Sequence, residues 1–83
     1  MGTFETVRKI MSDNTGKPES GITPGTDLRV GKGLISDSLD TFQIIYEIEQ
    51  QFDIMFGETS AEINGMKTVR DAVDYIDARL GGK

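Results

Sequence analysis

Eighty-three residues carrying a net charge of −5, with neither cysteine nor histidine, make one small acidic domain with a modest core. That composition excludes disulfides, thiolate nucleophiles, imidazole bases and the usual zinc ligand sets, and it fits a reducing compartment. No apolar run reaches the ~18 residues a membrane helix needs and no signal-peptide pattern occurs, so a cytoplasmic protein without a membrane span is expected.

Phe4, Val7, Ile10 and Met11 recur at helical spacing, which predicts a first helix over 3–15 with Thr3 as N-cap and Gly16 as stop. Residues 16–37 hold no sustained period, two prolines and five glycines. They read as one long loop, anchored by Ile22, Leu28, Val30, Leu34 and Ile35. Gly25 to Lys32 misses the spacing of a phosphate-binding loop by one residue and puts Gly33 where Ser or Thr must hold magnesium, so nucleotide binding is not expected.

A second helix is predicted from about Ser38 to Asp53, with Asp37 as N-cap and Asp40 in the first turn, where the helix dipole favours an acid. Ile44, Ile45, Ile48 and Phe52 fall on one side of it; Leu39, Phe42 and Tyr46 fall roughly opposite. Two apolar stripes mean either burial between two neighbours or one stripe left for docking. With so few other helices, an exposed strip rimmed by acids is expected, and Phe42 suits either role. A short helix or turn around Thr59–Ile63 and a break at Asn64-Gly65 follow. Thr68 and Asp71 then resemble a capping box, opening a last helix whose stripe is Val69, Ala72, Val73, Ile76 and Leu80 and which ends near Gly81. The expected fold is all-α: a small bundle of three main helices plus one short helix, with a long loop between helices one and two, in a single domain over 1–83.

Charge is uneven. Residues 33–65 carry seven acids and no lysine or arginine, a field that repels nucleic acid and steers a partner with a basic patch. Ser38 stands where the long loop hands over to the acidic helix. A serine at the positive end of a helix can carry a phosphate diester, although an ordinary first-turn serine has the same address. No base is placed to activate it as a nucleophile, since the nearest preceding basic residue is Lys32 on the loop. No window supplies the alternating ligands of a calcium loop, and no metal site is expected. These residues indicate a carrier and not an enzyme.

The run Asp37-Ser38-Leu39-Asp40-Thr41, the helix end Glu47-Ile48-Glu49-Gln50-Gln51-Phe52-Asp53-Ile54 and the last helix from Thr68 to Ile76 together resemble the acyl carrier protein family, over nearly the whole chain. The resemblance implies that a phosphopantetheinyl transferase, using coenzyme A and magnesium, attaches 4′-phosphopantetheine to Ser38. The arm's thiol would hold acyl groups as thioesters for enzymes of fatty-acid, lipid or polyketide-type synthesis. Asp37, Asp40 and Glu49 match family acids, and Leu39 and Tyr46 match apolar contacts. With Phe42 and Glu47 they make the expected partner surface of a monomeric carrier. By helical facing, Ile44, Ile48, Ile63 and Val73 are the expected acyl pocket, where plain core packing accounts for each residue singly. Gln43 stands where an acid is usual. Gly33-Leu34-Ile35-Ser36-Asp37 replaces Asp-Leu-Gly-x-Asp, and Met55-Phe56-Gly57-Glu58 replaces an acidic segment with proline. These departures favour a specialised member. The alternatives are a peptidyl or D-alanyl carrier, and an unmodified helical adaptor that binds through Leu39, Phe42 and Tyr46.

Overall fold

The computed structural model describes residues 2–55 and 66–81. They form three helices: α1 (Thr3–Thr15), α2 (Ser38–Phe52) and α3 (Val69–Gly81). The fold is all-α as expected. The short helix expected over Thr59–Ile63, with Ile63 itself, lies outside the described residues, as does Asn64-Gly65.

α1 packs against both other helices. Val7 and Met11 on α1, Ile44 and Ile48 on α2, and Val69 and Ile76 on α3 are buried together. Each such side chain contributes roughly 1.5–3 kcal/mol by leaving water. α1 stops because Gly16 takes the left-handed conformation at φ 76° and returns its N–H to the Ser12 carbonyl at 2.9 Å. Thr3 was expected to cap α1, but the cap position belongs to Gly2, which offers no side chain. Thr3 is the first helical residue, and its hydroxyl donates instead to Asp77 of α3, tying the two helices together.

The loop between α1 and α2 contains one short 3-10 turn, Glu19–Gly21, held to α1 by an Arg8–Glu19 ion pair at 3.4 Å. Ile22, Leu34 and Ile35 are buried and Leu28 is half-buried, so four of the expected anchors go inward. Val30 does not; it is 48% exposed. The reason is a turn in which Gly31, at φ 84°, donates its N–H to the Ile35 carbonyl at 2.7 Å. That turn draws Ile35 inward and leaves residues 30–33 at the surface.

The loop also meets the start of α3. Leu28 N–H donates to the Lys67 carbonyl at 2.8 Å, around an isolated antiparallel bridge between Asp27 and Thr68. Val69 N–H and Arg70 N–H donate back to the carbonyls of Thr26 and Pro24, each at 2.9 Å. The third N–H of α3, on Asp71, goes to the Thr68 hydroxyl at 3.3 Å, while Asp71 Oδ2 accepts from Thr68 N–H at 3.1 Å. The expected capping box is present, and the first three N–H groups of α3 all have partners.

Candidate functional site

α2 begins at Ser38 because Asp37 is extended (φ −140°, ψ 141°) and its Oδ1 accepts from Leu39 N–H at 2.9 Å. The Asp37 carbonyl accepts from Asp40 N–H at 3.0 Å. Ser38 is therefore the first helical residue, and its side chain is exposed. A negative group there gains the dipole's roughly 0.3–1 kcal/mol. The Leu39 N–H is already taken by Asp37, so the dipole and solvent, more than that N–H, would receive the added charge. α2 closes at Asp53, which adopts the left-handed conformation (φ 53°, ψ 49°) while the Ile54 N–H reaches the Glu49 carbonyl at 3.3 Å. The helix thus ends one residue before the expected boundary.

The two apolar stripes of α2 part company in the structure. Ile44 and Ile48 are buried, with Ile45 and Phe52 half-buried beside them. Leu39, Phe42 and Tyr46 are 70%, 61% and 57% exposed. The strip expected to reach solvent does so along its whole length, Phe42 included. Asp40 and Glu49 are half-buried on α2, beside this strip.

On its inner side α2 walls a cavity of about 300 Å³. Thr41, Ile44, Ile45 and Ile48 supply one wall, and Leu28, Arg29, Val30 and Ile35 of the loop supply another. Met11, Met66 and Ala72 close it. The volume is twice the ~150 Å³ of an apolar void that admits benzene. Arg29 does not bring a free charge to this wall, because its guanidinium forms a two-point pair with Asp27, the shorter contact at 2.7 Å. That pair, with the Arg29 N–H bond, holds the Asp27 carboxyl down at about 2, below the ordinary 3.8. Thr41 contributes the one hydroxyl of the described lining; its Oγ1 is shut off from solvent and has no hydrogen-bond partner among the described residues.

No protein-family model matches the chain. Individual relatives do match along almost its whole length. It is 40% identical over 78 residues to an acyl carrier protein of Borreliella burgdorferi, covering 94% of this chain and 92% of that one. It is 42% identical over 77 residues to those of Lactococcus lactis subsp. cremoris and Streptococcus pneumoniae, covering 93% of this chain and 96% and 95% of theirs. The chain belongs to the acyl carrier protein family.

For a member of that family, the residues expected at the site fall into three places. Asp37, Ser38, Leu39 and Asp40 lie at the start of α2, with Phe42 and Tyr46 continuing along the same exposed face. Glu47 is turned elsewhere: Asn14 of α1 donates to its Oε2 at 2.6 Å, and Gln43 donates to the same oxygen at 3.4 Å. Its position on α2, about 110° around from the strip, points it at α1, so it joins two helices and does not rim the exposed strip. Ile44 and Ile48 line the cavity. Val73 does not; it lines a separate shallow depression with Phe4, Pro24, Arg70 and Asp74. α3 sends Ala72 toward the cavity, and Val73 follows it about 100° further around the helix. Met11, Leu28 and Ile45 were expected from the sequence only as packing residues, and Met66 was not singled out at all. Nor was Thr41, although its helical phase alongside Ile44 and Ile48 puts it on the inner face.

Proposed function

We propose that this chain carries acyl groups as thioesters on a 4′-phosphopantetheine arm attached to Ser38, and delivers them to enzymes of fatty-acid, lipid or polyketide-type synthesis in the cytoplasm. The observation that supports it is one juxtaposition. An exposed serine opens α2, and one turn further on the inner face of the same helix begins an apolar cavity able to take a short chain. The fit to the arm is reasonable, since Ser38 is reachable from solvent and its anion would sit at the helix's positive end.

Attachment forms the bond between Ser38 Oγ and phosphorus as the pyrophosphate bond of coenzyme A breaks. The adenosine bisphosphate half leaves, and the serine proton passes to the transferase. When bound, the arm supplies the thiol that this cysteine-free chain lacks. The chain's own residues do three things: Asp37 fixes the start of α2 and so the direction of Ser38, the isoleucines of α2 exclude water from the cavity, and Leu39, Phe42 and Tyr46 meet the partner enzyme. Acids around that strip raise the rate of encounter with a basic surface more than they raise affinity.

Incubation with coenzyme A, magnesium and a broad-specificity phosphopantetheinyl transferase tests this reading. Intact mass is expected to rise by one phosphopantetheine in the wild type and not at all in Ser38→Ala. A wild type that gains no mass would favour the unmodified adaptor, whose binding strip is the same Leu39, Phe42 and Tyr46. Loading by an amino-acid-adenylating enzyme in place of an acyl donor would favour the peptidyl or D-alanyl carrier.

A further inference from the structure

We infer that Asn14 is a positioning residue for the carrier's transactions. Through Glu47 it fixes the roll of α2 about its own axis, and so the direction in which Ser38, Leu39, Phe42 and Tyr46 meet a partner. The inference rests on the carrier reading of Ser38, and it gives Glu47 a task other than touching the partner.

α1 and α2 pack through apolar side chains: Val7, Ile10 and Met11 on one helix, Ile44 and Ile48 on the other, with Ile45 and Phe52 beside them. The residues of α2 in this contact span about 100° of its surface. Aliphatic groups of like size pack almost as well after a small roll, so the stripe by itself sets the angle loosely. A polar pair placed at an apolar helix contact removes that freedom, because one arrangement satisfies it and the neighbouring ones do not.

Asn14 and Glu47 make such a pair. From its half-buried place on α1, Asn14 Nδ2 donates to the Ile10 carbonyl at 2.8 Å and to Glu47 Oε2 at 2.6 Å. Carbonyl and carboxylate oxygens only accept, so the end of the amide turned to them is the NH2, and Asn14 has one orientation. The Ile10 bond holds its side chain to its own helix. The bond across the helices is charge-assisted, roughly twice as strong as a neutral one. Gln43 donates to the same oxygen at 3.4 Å and steadies Glu47 from the α2 side.

The consequence reaches residues that Asn14 does not touch. Side-chain tips lie about 5–6 Å from a helix axis, so a roll of about 20° carries them through about 2 Å. Without the pair a partner meets α2 correctly turned for only part of the time. Apparent affinity falls by that fraction, while the complex once formed reacts as before.

The test measures transfer of phosphopantetheine from coenzyme A to the whole apo chain by a broad-specificity phosphopantetheinyl transferase. The chains compared are the wild type, Asn14→Ala, Asn14→Asp, Glu47→Gln and the double variant Asn14→Asp/Glu47→Gln. Helicity is checked first. Asn14→Ala is expected to raise KM about fivefold with kcat unchanged. Asn14→Asp, which sets two carboxylates face to face, is expected to do at least as much. Glu47→Gln keeps an acceptor for Asn14 and should stay near the wild type. The double variant restores a bond with donor and acceptor exchanged, and should recover KM. In nitrogen-15 spectra the amide signals of Leu39, Phe42 and Tyr46 are expected to move in both Asn14 single variants and to return in the double. Unchanged KM, or unmoved signals, in both Asn14 single variants would overturn the assignment. So would a Glu47→Gln chain as impaired as Asn14→Ala, because the charge of Glu47 would then itself be the partner contact. A wild type that gains no mass at Ser38 overturns the carrier reading instead, and takes the role of Asn14 with it.

Discussion

The Asp71 carboxylate accepts from the N–H groups of Lys67, at 2.9 Å, and Thr68, at 3.1 Å, and those bonds, the Lys67 one first, pull its pKa below the ordinary value. Asp27 is lowered to about 2 by the Arg29 side chain and then by the Arg29 N–H. Both groups hold fewer protons folded than unfolded. Their stabilisation is complete above the ordinary value of 3.8 and is lost as pH falls through the folded values, for Asp27 between 3.8 and about 2. Urea midpoints measured from pH 5 down to about 2 are therefore expected to fall across that window, and to fall less steeply in Asp27→Asn. The difference will be small, because the Asp27–Arg29 pair is open to solvent and salt. At the other half of the capping box, Thr68→Ala removes the hydroxyl that receives Asp71 N–H and is expected to cost about 1 kcal/mol in the same titration.

At the scale of the element, α2 divides its labour between two faces. Ile48 is 1% exposed and packs in the core, so Ile48→Ala should cost about 2–5 kcal/mol, a large share of the roughly 4–12 kcal/mol that a chain of this length commands. Leu39→Ala and Tyr46→Ala lie on the exposed strip and should change stability by no more than about 0.5 kcal/mol while slowing acyl transfer to a partner enzyme. Stability and transfer, measured on the same variants, separate the faces.

Both faces of α2 were legible because apolar spacing is local information, and so were the αL stop at Gly16 and the Thr68–Asp71 box. The attachment of the loop to α3 was not. It is built from the carbonyls of Pro24 and Thr26 and the N–H of Leu28, backbone groups that every sequence possesses. Val30 misled for a related reason: an apolar side chain reads as an anchor until Gly31 turns the chain beneath it. Thr3 failed as a cap, and Glu47 lies away from the exposed strip, and each is engaged by a residue far away in sequence, Asp77 and Asn14. Contacts across the fold carry no local pattern.

For the molecule as a whole, charge and cavity describe one kind of behaviour. Net charge is −5 and its acids gather in the middle third, around α2. Encounters with a basic partner should therefore be fast at low ionic strength, and transfer rates should fall by about tenfold or more as salt approaches molar concentration. The cavity beneath α2 is an apolar environment that the fold itself offers a chain. All of this depends on the hydroxyl at Ser38 being the point of attachment. The most direct measurement is the intact mass of the chain purified from its own cells, with the modified peptide mapped by fragmentation. Phosphopantetheine on Ser38, bare or acylated, is the expected result. An unmodified Ser38 in cells that contain a competent phosphopantetheinyl transferase would contradict it.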